Sequence, residues 1–225
     1  MRKLPKPQSG FTLVEIAIVL VIIGLLLGGV LKGQELINSA KVKNFATDFR
    51  NIPLYIYGYQ DKFKALPGDD VNVVNHVNGT LATTPADSQG NGVIDGLWDT
   101  TTLTDESALF WQHIRLAGLA TGSTVVKNDN TYWPTNADSG RIGIESSGVH
   151  FIKNTDDTTY LPGTYVVCSA NILGRFAKQL DLQMDDGSTN TGSMRVVASN
   201  HTRGNQALAT GAVDDNTPYT VCMSL

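Results

Sequence analysis

An α+β chain, one long N-terminal helix followed by a β-rich head, is the fold class that three features of the sequence predict. An apolar stretch covers residues 11–31 and passes into a segment where Leu36, Ile37, Val42, Phe45, Ala46 and Phe49 fall near helical spacing. Thr, Asn, Ser and Gly become abundant after residue 70, while charged residues make up only 17% of the chain, a balance common in β-rich extracellular domains with long turns. Short apolar segments at 141–144, 149–152, 160–168 and 194–198 then read as strands. At 225 residues the chain is long enough for one domain of moderate size with a real core, residues 66–225, after a helix spanning 11–65.

The apolar stretch matches the roughly 20 residues a helix needs to cross the hydrocarbon core of a bilayer. Residues 11–31 therefore read as a membrane span. Arg2, Lys3 and Lys6 precede it with no acidic residue before position 11, which keeps that end cytoplasmic and the rest of the chain outside. A secretory signal peptide shares the basic start and apolar middle, but its apolar region is shorter and ends in a small-residue cleavage site. Gly24, Gly28, Gly29 and Gly33 weaken the helix, each costing up to about 1 kcal/mol relative to alanine. They permit either local melting at 28–33 or close packing through small residues. Pro53 lacks an amide donor and is expected to kink or interrupt the helix before 54–63 resumes the pattern. Tyr55 and Tyr59 are assigned to packing in the head.

One charge, Glu15, lies near the start of the span. An ionised group within a bilayer costs roughly 2.5–3.5 kcal/mol even on insertion scales, so it marks a partner or a function. Gly10 followed by Phe11-Thr12-Leu13-Val14-Glu15 resembles the signal of type IV pilins and type II secretion pseudopilins. That resemblance implies cleavage after Gly10 by prepilin peptidase, removal of residues 1–10 as a leader, and methylation of the new N-terminus at Phe11. It implies that Glu15 neutralises the Phe11 amine of a neighbouring subunit during assembly on an inner-membrane platform, a Coulomb attraction that is strong in a poorly solvated bundle. It also implies the pilin-like architecture, in which the long N-terminal helix packs on an antiparallel β-sheet head.

Cys168 and Cys222 both lie on the outward side of the inferred span, where an oxidising compartment permits a disulfide. The resemblance implies that they bound a C-terminal region, as pilin cysteines commonly do; two free buried thiols are the alternative. A bond closing a loop of 222 − 168 = 54 residues would restrict the unfolded chain by about 4 kcal/mol on the entropic model.

Within the head, 105–119 reads as a short helix, with Thr104 as N-cap and Gly118 near its end, and 172–182 as a second helix or helical crossover. The segment 87–95 resembles the opening of a calcium loop: Asp87, Gln89 and Asn91 at positions one, three and five, Gly92 sixth, Ile94 eighth and Asp95 ninth. Position twelve is Trp98, so the bidentate glutamate of an EF-hand is missing, and Asp69 and Asp70, or Asp99, would complete the shell. Gly/Asn turn chemistry explains the same letters. A second Asx-rich turn, Asp185-Asp186-Gly187, is similar in both respects. Calcium is the one cofactor suggested.

No catalytic constellation is visible, since His76, His113, His150 and His201 are isolated and no nucleophile-elbow signature occurs. A net charge of −4 argues against nucleic acid as a partner. The expectation is a non-enzymatic filament subunit, a major or minor pilin, with a pseudopilin as the nearest alternative. A membrane-tethered adhesive protein is the alternative of another class.

Overall fold

The computed structural model describes residues 12–146, 151–154 and 158–225. The leader with Gly10, Phe11, and Val149 and His150 of the strand expected at 149–152 lie outside those residues. In chain order the elements are α1 Leu13–Phe63, α2 Val73–Val77, α3 Glu106–Leu116, β1 Ile142–Ser146, β2 Ile152–Lys153, β3 Tyr165–Leu173, α4 Gly174–Met184, β4 Met194–Ala198, β5 Asn205–Gln206 and β6 Pro218–Ser224. The chain divides into two compact units, 1–40 and 41–225.

In the second unit, the C-terminal part of α1 buries a stripe made of Val42, Phe45, Ala46, Phe49, Ile52, Ile56 and Tyr59. Steps of three and four residues place these side chains on one helical face. Pro53 does not interrupt the helix, contrary to the expectation from its missing donor. The turns on either side are anchored by buried Phe49, Ile52 and Ile56, and that packing outweighs one lost hydrogen bond. Tyr59 is fully buried and donates its hydroxyl to Asp70 at 2.7 Å, a packing role as expected. The glycines of residues 24–33 are helical throughout, and none has another group near its Cβ position.

Four strands form an antiparallel sheet in the order β1-β3-β6-β4. One face, through Ile142, Ile144, Val167, Val221, Met194 and Val196, joins the same core as α1, α3 and α4. The other, through Val166, Cys168, Val197 and Cys222, packs on Trp98, Phe151, Ile152 and Leu161. Both outer strands are partly covered by loop backbone: β1 donates to Pro134 and Ile94 carbonyls, and Val196 of β4 exchanges bonds with Thr189 and Leu208. Covered edges do not recruit foreign strands. Gly143 has no substitute on β1, because a Cβ there would stand 2.0 Å from the Trp98 carbonyl oxygen.

Several boundaries differ from the sequence expectation. The strand expected at 160–168 is β3, which begins at Tyr165 and runs through a register shift between Ser169 and Ile172 to Leu173, so the following helix begins only at Gly174. Asn171 takes a positive φ of 58° within that irregularity. The cap of α3 is Asp105 rather than Thr104, because Asp105 holds the extended backbone while its carboxylate accepts from Thr84 and Thr100 hydroxyls. Every residue of α3 from Glu106 to Arg115 is buried, so this helix has no wet face. His113 accepts the Gly68 N–H at 2.9 Å and its other nitrogen meets the Thr80 carbonyl at 2.8 Å, which suits the neutral ring. Burial pushes its pKa down.

Candidate functional site

The segment 87–95 wraps a carboxylate from elsewhere in the chain. Asp69 accepts the backbone N–H groups of Gly90, of Asn91 at 3.2 Å and of Gly92 at 2.8 Å. Gly90 and Gly92 both have positive φ, which turns successive amides toward one point. Asn91 donates to Asp95 at 2.9 Å and accepts the Val93 N–H at 2.7 Å, while Gln89 donates to the Pro85 carbonyl at 3.2 Å. Asp87 is exposed. Of the carboxylates expected to complete a shell, Asp69 reaches the loop, Asp70 is committed to Tyr59 and His76, and Asp99 is exposed.

Glu106, fully buried at the start of α3, accepts the Asp95 N–H at 2.9 Å and the Ser88 hydroxyl at 3.0 Å. Its pKa is pushed up to about 7, mainly by burial, with repulsion from Asp69 and Asp95 adding to it. Burial likewise raises Asp69 against the pull of its three amides. Among the described residues, no group of three or more His, Cys, Asp and Glu side chains is arranged to hold a metal ion.

Cys168 and Cys222 are directly opposite on β3 and β6 and are joined by a disulfide, with Cα atoms 4.1 Å apart. The bond therefore ties the two central strands of the sheet. Beside it, fully buried Glu145 accepts both guanidinium nitrogens of Arg203, at 2.8 and 2.6 Å, and the Trp98 N–H at 2.8 Å.

The first unit is described over residues 12–40, all of it helical from Leu13 onward. Thr12 and Glu15 cap its start reciprocally. The N–H and the hydroxyl of Thr12 both donate to Glu15 Oε2 at 2.8 Å, and the Glu15 N–H donates back to Thr12 Oγ1 at 3.3 Å. This capping box satisfies donors that a helix start otherwise leaves open, and it fixes the carboxylate where the helix dipole favours negative charge. Sequence reasoning weighed Glu15 as a charge alone; the Thr-x-x-Glu spacing was the available signal for the cap. All side chains from Thr12 to Lys32 are exposed, and α1 is the one helix among the described residues long and apolar enough to cross a membrane.

A family model described as the prokaryotic N-terminal methylation motif matches residues 5–31. Residues 5–31 are a prepilin-type cleavage and methylation motif. Comparisons of the chain with curated proteins and with solved structures returned no match. The motif is that of type IV pilins and pseudopilins, and with the long helix and four-stranded antiparallel sheet it supports a pilin-like or pseudopilin subunit. It implies processing by prepilin peptidase and assembly with other pilin-type subunits, and together with the apolar helix it fits anchoring in a membrane before assembly. The motif's family is structural rather than enzymatic. Within the motif, Gly10 and Phe11 lie outside the described residues, and Glu15 is placed by its bonds to Thr12.

Proposed function

We propose that this chain is a structural subunit, a major or minor pilin, of a type IV pilus-like surface filament, assembled through its N-terminal helix after cleavage between Gly10 and Phe11. The observation that carries the reading is the methylation motif at 5–31 continuing into a helix whose apolar side chains are exposed among the described residues. Cleavage would free the Phe11 amine beside a helix start already organised around the Glu15 carboxylate. In a filament, a neighbour's amine would exchange bulk water for that carboxylate, and an unpaired charge in such a bundle costs several kcal/mol. The large disulfide-tied head favours a surface filament over a secretion pseudopilus. N-terminal mass spectrometry of filament protein is expected to find a methylated chain beginning at Phe11, and an intact Met1 start would overturn the reading. Immunogold labelling of sheared filaments is expected along the shaft or at the tip; protein that is processed but absent from any surface filament would instead identify a pseudopilin.

A calcium ion at Asp87, Gln89, Asn91 and Asp95 is a second proposal for the head. Its support is the oxygen-rich spacing and the mutual repulsion of Asp69, Asp95 and Glu106, which a divalent cation would relieve. Calcium is expected to raise the melting temperature over a chelator control, with the increment lost in Asp95→Asn. An identical melting temperature with and without calcium would remove this proposal.

A further inference from the structure

Within the second unit, α1 carries another stripe on the side opposite its buried one. Lys43, Thr47, Arg50, Leu54, Tyr57 and Asp61 are all exposed, and they recur at steps of four, three, four, three and four residues. That is the spacing of a seam along which one helix lies on another. The centre of the stripe is apolar: Leu54 is 64% exposed and Tyr57 67%, although the opposite face of the same turns is sealed into the core. Its charges are segregated, with Lys43 and Arg50 on the N-terminal side of the apolar pair and Asp61 on the C-terminal side. Among the described residues Arg50 forms no hydrogen bond or ion pair. Asp61 meets only Lys64 of its own chain, at 3.3 Å, and both groups of that pair stand in solvent, where an ion pair is easily exchanged.

Copies of this chain that enter a filament from one membrane, through the same end of α1, have helices running in the same sense. Two such stripes in register set Lys43 on Lys43, Arg50 on Arg50 and Asp61 on Asp61, like charge on like throughout. Shifts of four and seven residues pair no opposite charges, and the second also brings Lys43 beside the neighbour's Arg50. A shift of eighteen pairs Lys43 with Asp61 but carries Leu54 and Tyr57 of both copies out of the overlap. A shift of eleven residues, about 16.5 Å along the helix, avoids each of these faults. Arg50 then meets the neighbour's Asp61, the methylene stem of Lys43 lies over the neighbour's Leu54, and the neighbour's Tyr57 comes level with the gap between Lys43, Thr47 and Arg50, where cations face its ring.

We propose that the exposed face of α1 from Lys43 to Asp61 is a self-docking seam, on which the same face of a second copy lies parallel and displaced by eleven residues, Arg50 of one subunit paired with Asp61 of the next. The proposal rests on the filament reading for the common sense of the helices. It adds the residues through which neighbouring subunits set their stagger outside the N-terminal motif.

The test uses the full chain assembled in cells. Arg50→Asp and Asp61→Arg each set like charges at the contact and are expected to lower the yield of sheared filaments at least about tenfold. The double variant restores the opposite pair in reversed order and is expected to recover most of the wild-type yield. Both positions are exposed, so the melting temperature of each solubilised single variant is expected to match that of the wild type, which separates a docking defect from a folding one. Disulfide trapping is the second measurement. In an Arg50→Cys/Asp61→Cys chain the two positions lie about 16.5 Å apart on one helix, too far to join within it. Loss of both charges adds no repulsion, so mild oxidation of these filaments is expected to give a ladder of covalently linked subunits, and neither single cysteine variant is expected to do so. No recovery of yield on double charge reversal, no ladder, or covalent dimers from Arg50→Cys alone, the mark of an in-register contact, would overturn the proposal and leave filament membership intact. Wild-type chain that is processed yet found in no filament, surface or periplasmic, would overturn both.

Discussion

Two stretches of one helix send their apolar side chains to different destinations. In residues 13–31 of α1, Leu20 is 63% exposed and Leu25 74%, and no side chain packs into a core; in residues 42–59, Phe45 and Tyr59 are wholly buried and Phe49 is 1% exposed. Backbone geometry is the same in both, so helix propensity cannot account for the contrast. The second stretch has its complement in its own chain, in α3, α4 and the sheet. The apolar side chains of the first are exposed among the described residues, and such a surface needs lipid or neighbouring subunits to cover it. A helix can therefore carry two energetic roles in sequence, association and folding, and substitutions should separate them.

The largest expected effect is on association alone. Glu15→Val should leave the head folded and the precursor inserted, since it removes a charge that is costly in lipid. Sheared filament yield should nevertheless fall at least about tenfold, because an unpaired buried amine costs several kcal/mol. Co-expressed wild-type chain should partly restore incorporation. Wild-type yields of filaments built wholly from the variant would erase the distinction between the two stretches.

Folding should respond to the second stretch and ignore the first. Phe49→Ala empties a fully packed site and is expected to cost about 3–5 kcal/mol of stability. Leu20→Ala should change thermal unfolding of the head by no more than about 0.5 kcal/mol. Calorimetry on both variants in one detergent decides the matter. A similar loss in each would mean that the N-terminal stretch stabilises the head after all. Cys168→Ser should follow with a loss of about 2–4 kcal/mol, by freeing the unfolded chain of a 54-residue constraint. Reduction of the wild type should lower its melting temperature toward that of the variant.

The smallest effect is a change of slope. Glu106 has its pKa raised from 4.5 to about 7, so the folded state holds its proton more tightly than the unfolded chain does. Its contribution is fully present below pH 4.5 and is lost as pH rises through about 7. Asp181, buried in α4 and raised to about 6 mainly by burial, acts in the same direction. His113 and His201, lowered by burial, oppose both as pH falls through 6.5. The discriminating quantity is therefore the difference between wild type and Glu106→Gln. Between pH 4.5 and 7 the variant should lose less stability, by at most about 1.4 kcal/mol per pH unit. Parallel profiles would remove Glu106 as the responsible group.

What was legible in the sequence follows the reach of the interactions concerned. The long helix was readable because an apolar run and a helical stripe are local patterns, and the motif around Glu15 was readable because its spacing is short. The α4 register and the start of β3 were not, because Asn171 and the shift it occupies are set by pairing with β6, some 50 residues later in the chain. Asp69 was named only as one of several residues to complete a shell around 87–95; that it receives three amides from that loop is a contact across more than 20 positions. Pro53 misled for the opposite reason. Its local penalty is real, but the core around Phe49 and Ile56 overrides it. The Cys168–Cys222 pair is the one long-range contact that the family resemblance made visible before the strands were placed.

The strand order β1-β3-β6-β4 carries a consequence for synthesis. β6 is last in sequence but central in space, and the backbone of Leu225 bonds to Thr164 and Tyr165 just beyond it. Until residues 218–224 are delivered, β3 and β4 have no common neighbour and neither face of the sheet can close. A chain that stops short of them leaves β3 as an open edge beside β1 and β4 with no partner in the sheet, both open to adhesive pairing and to proteases. Only a chain translated through β6 can bring Cys222 to Cys168 and fill the centre of the sheet.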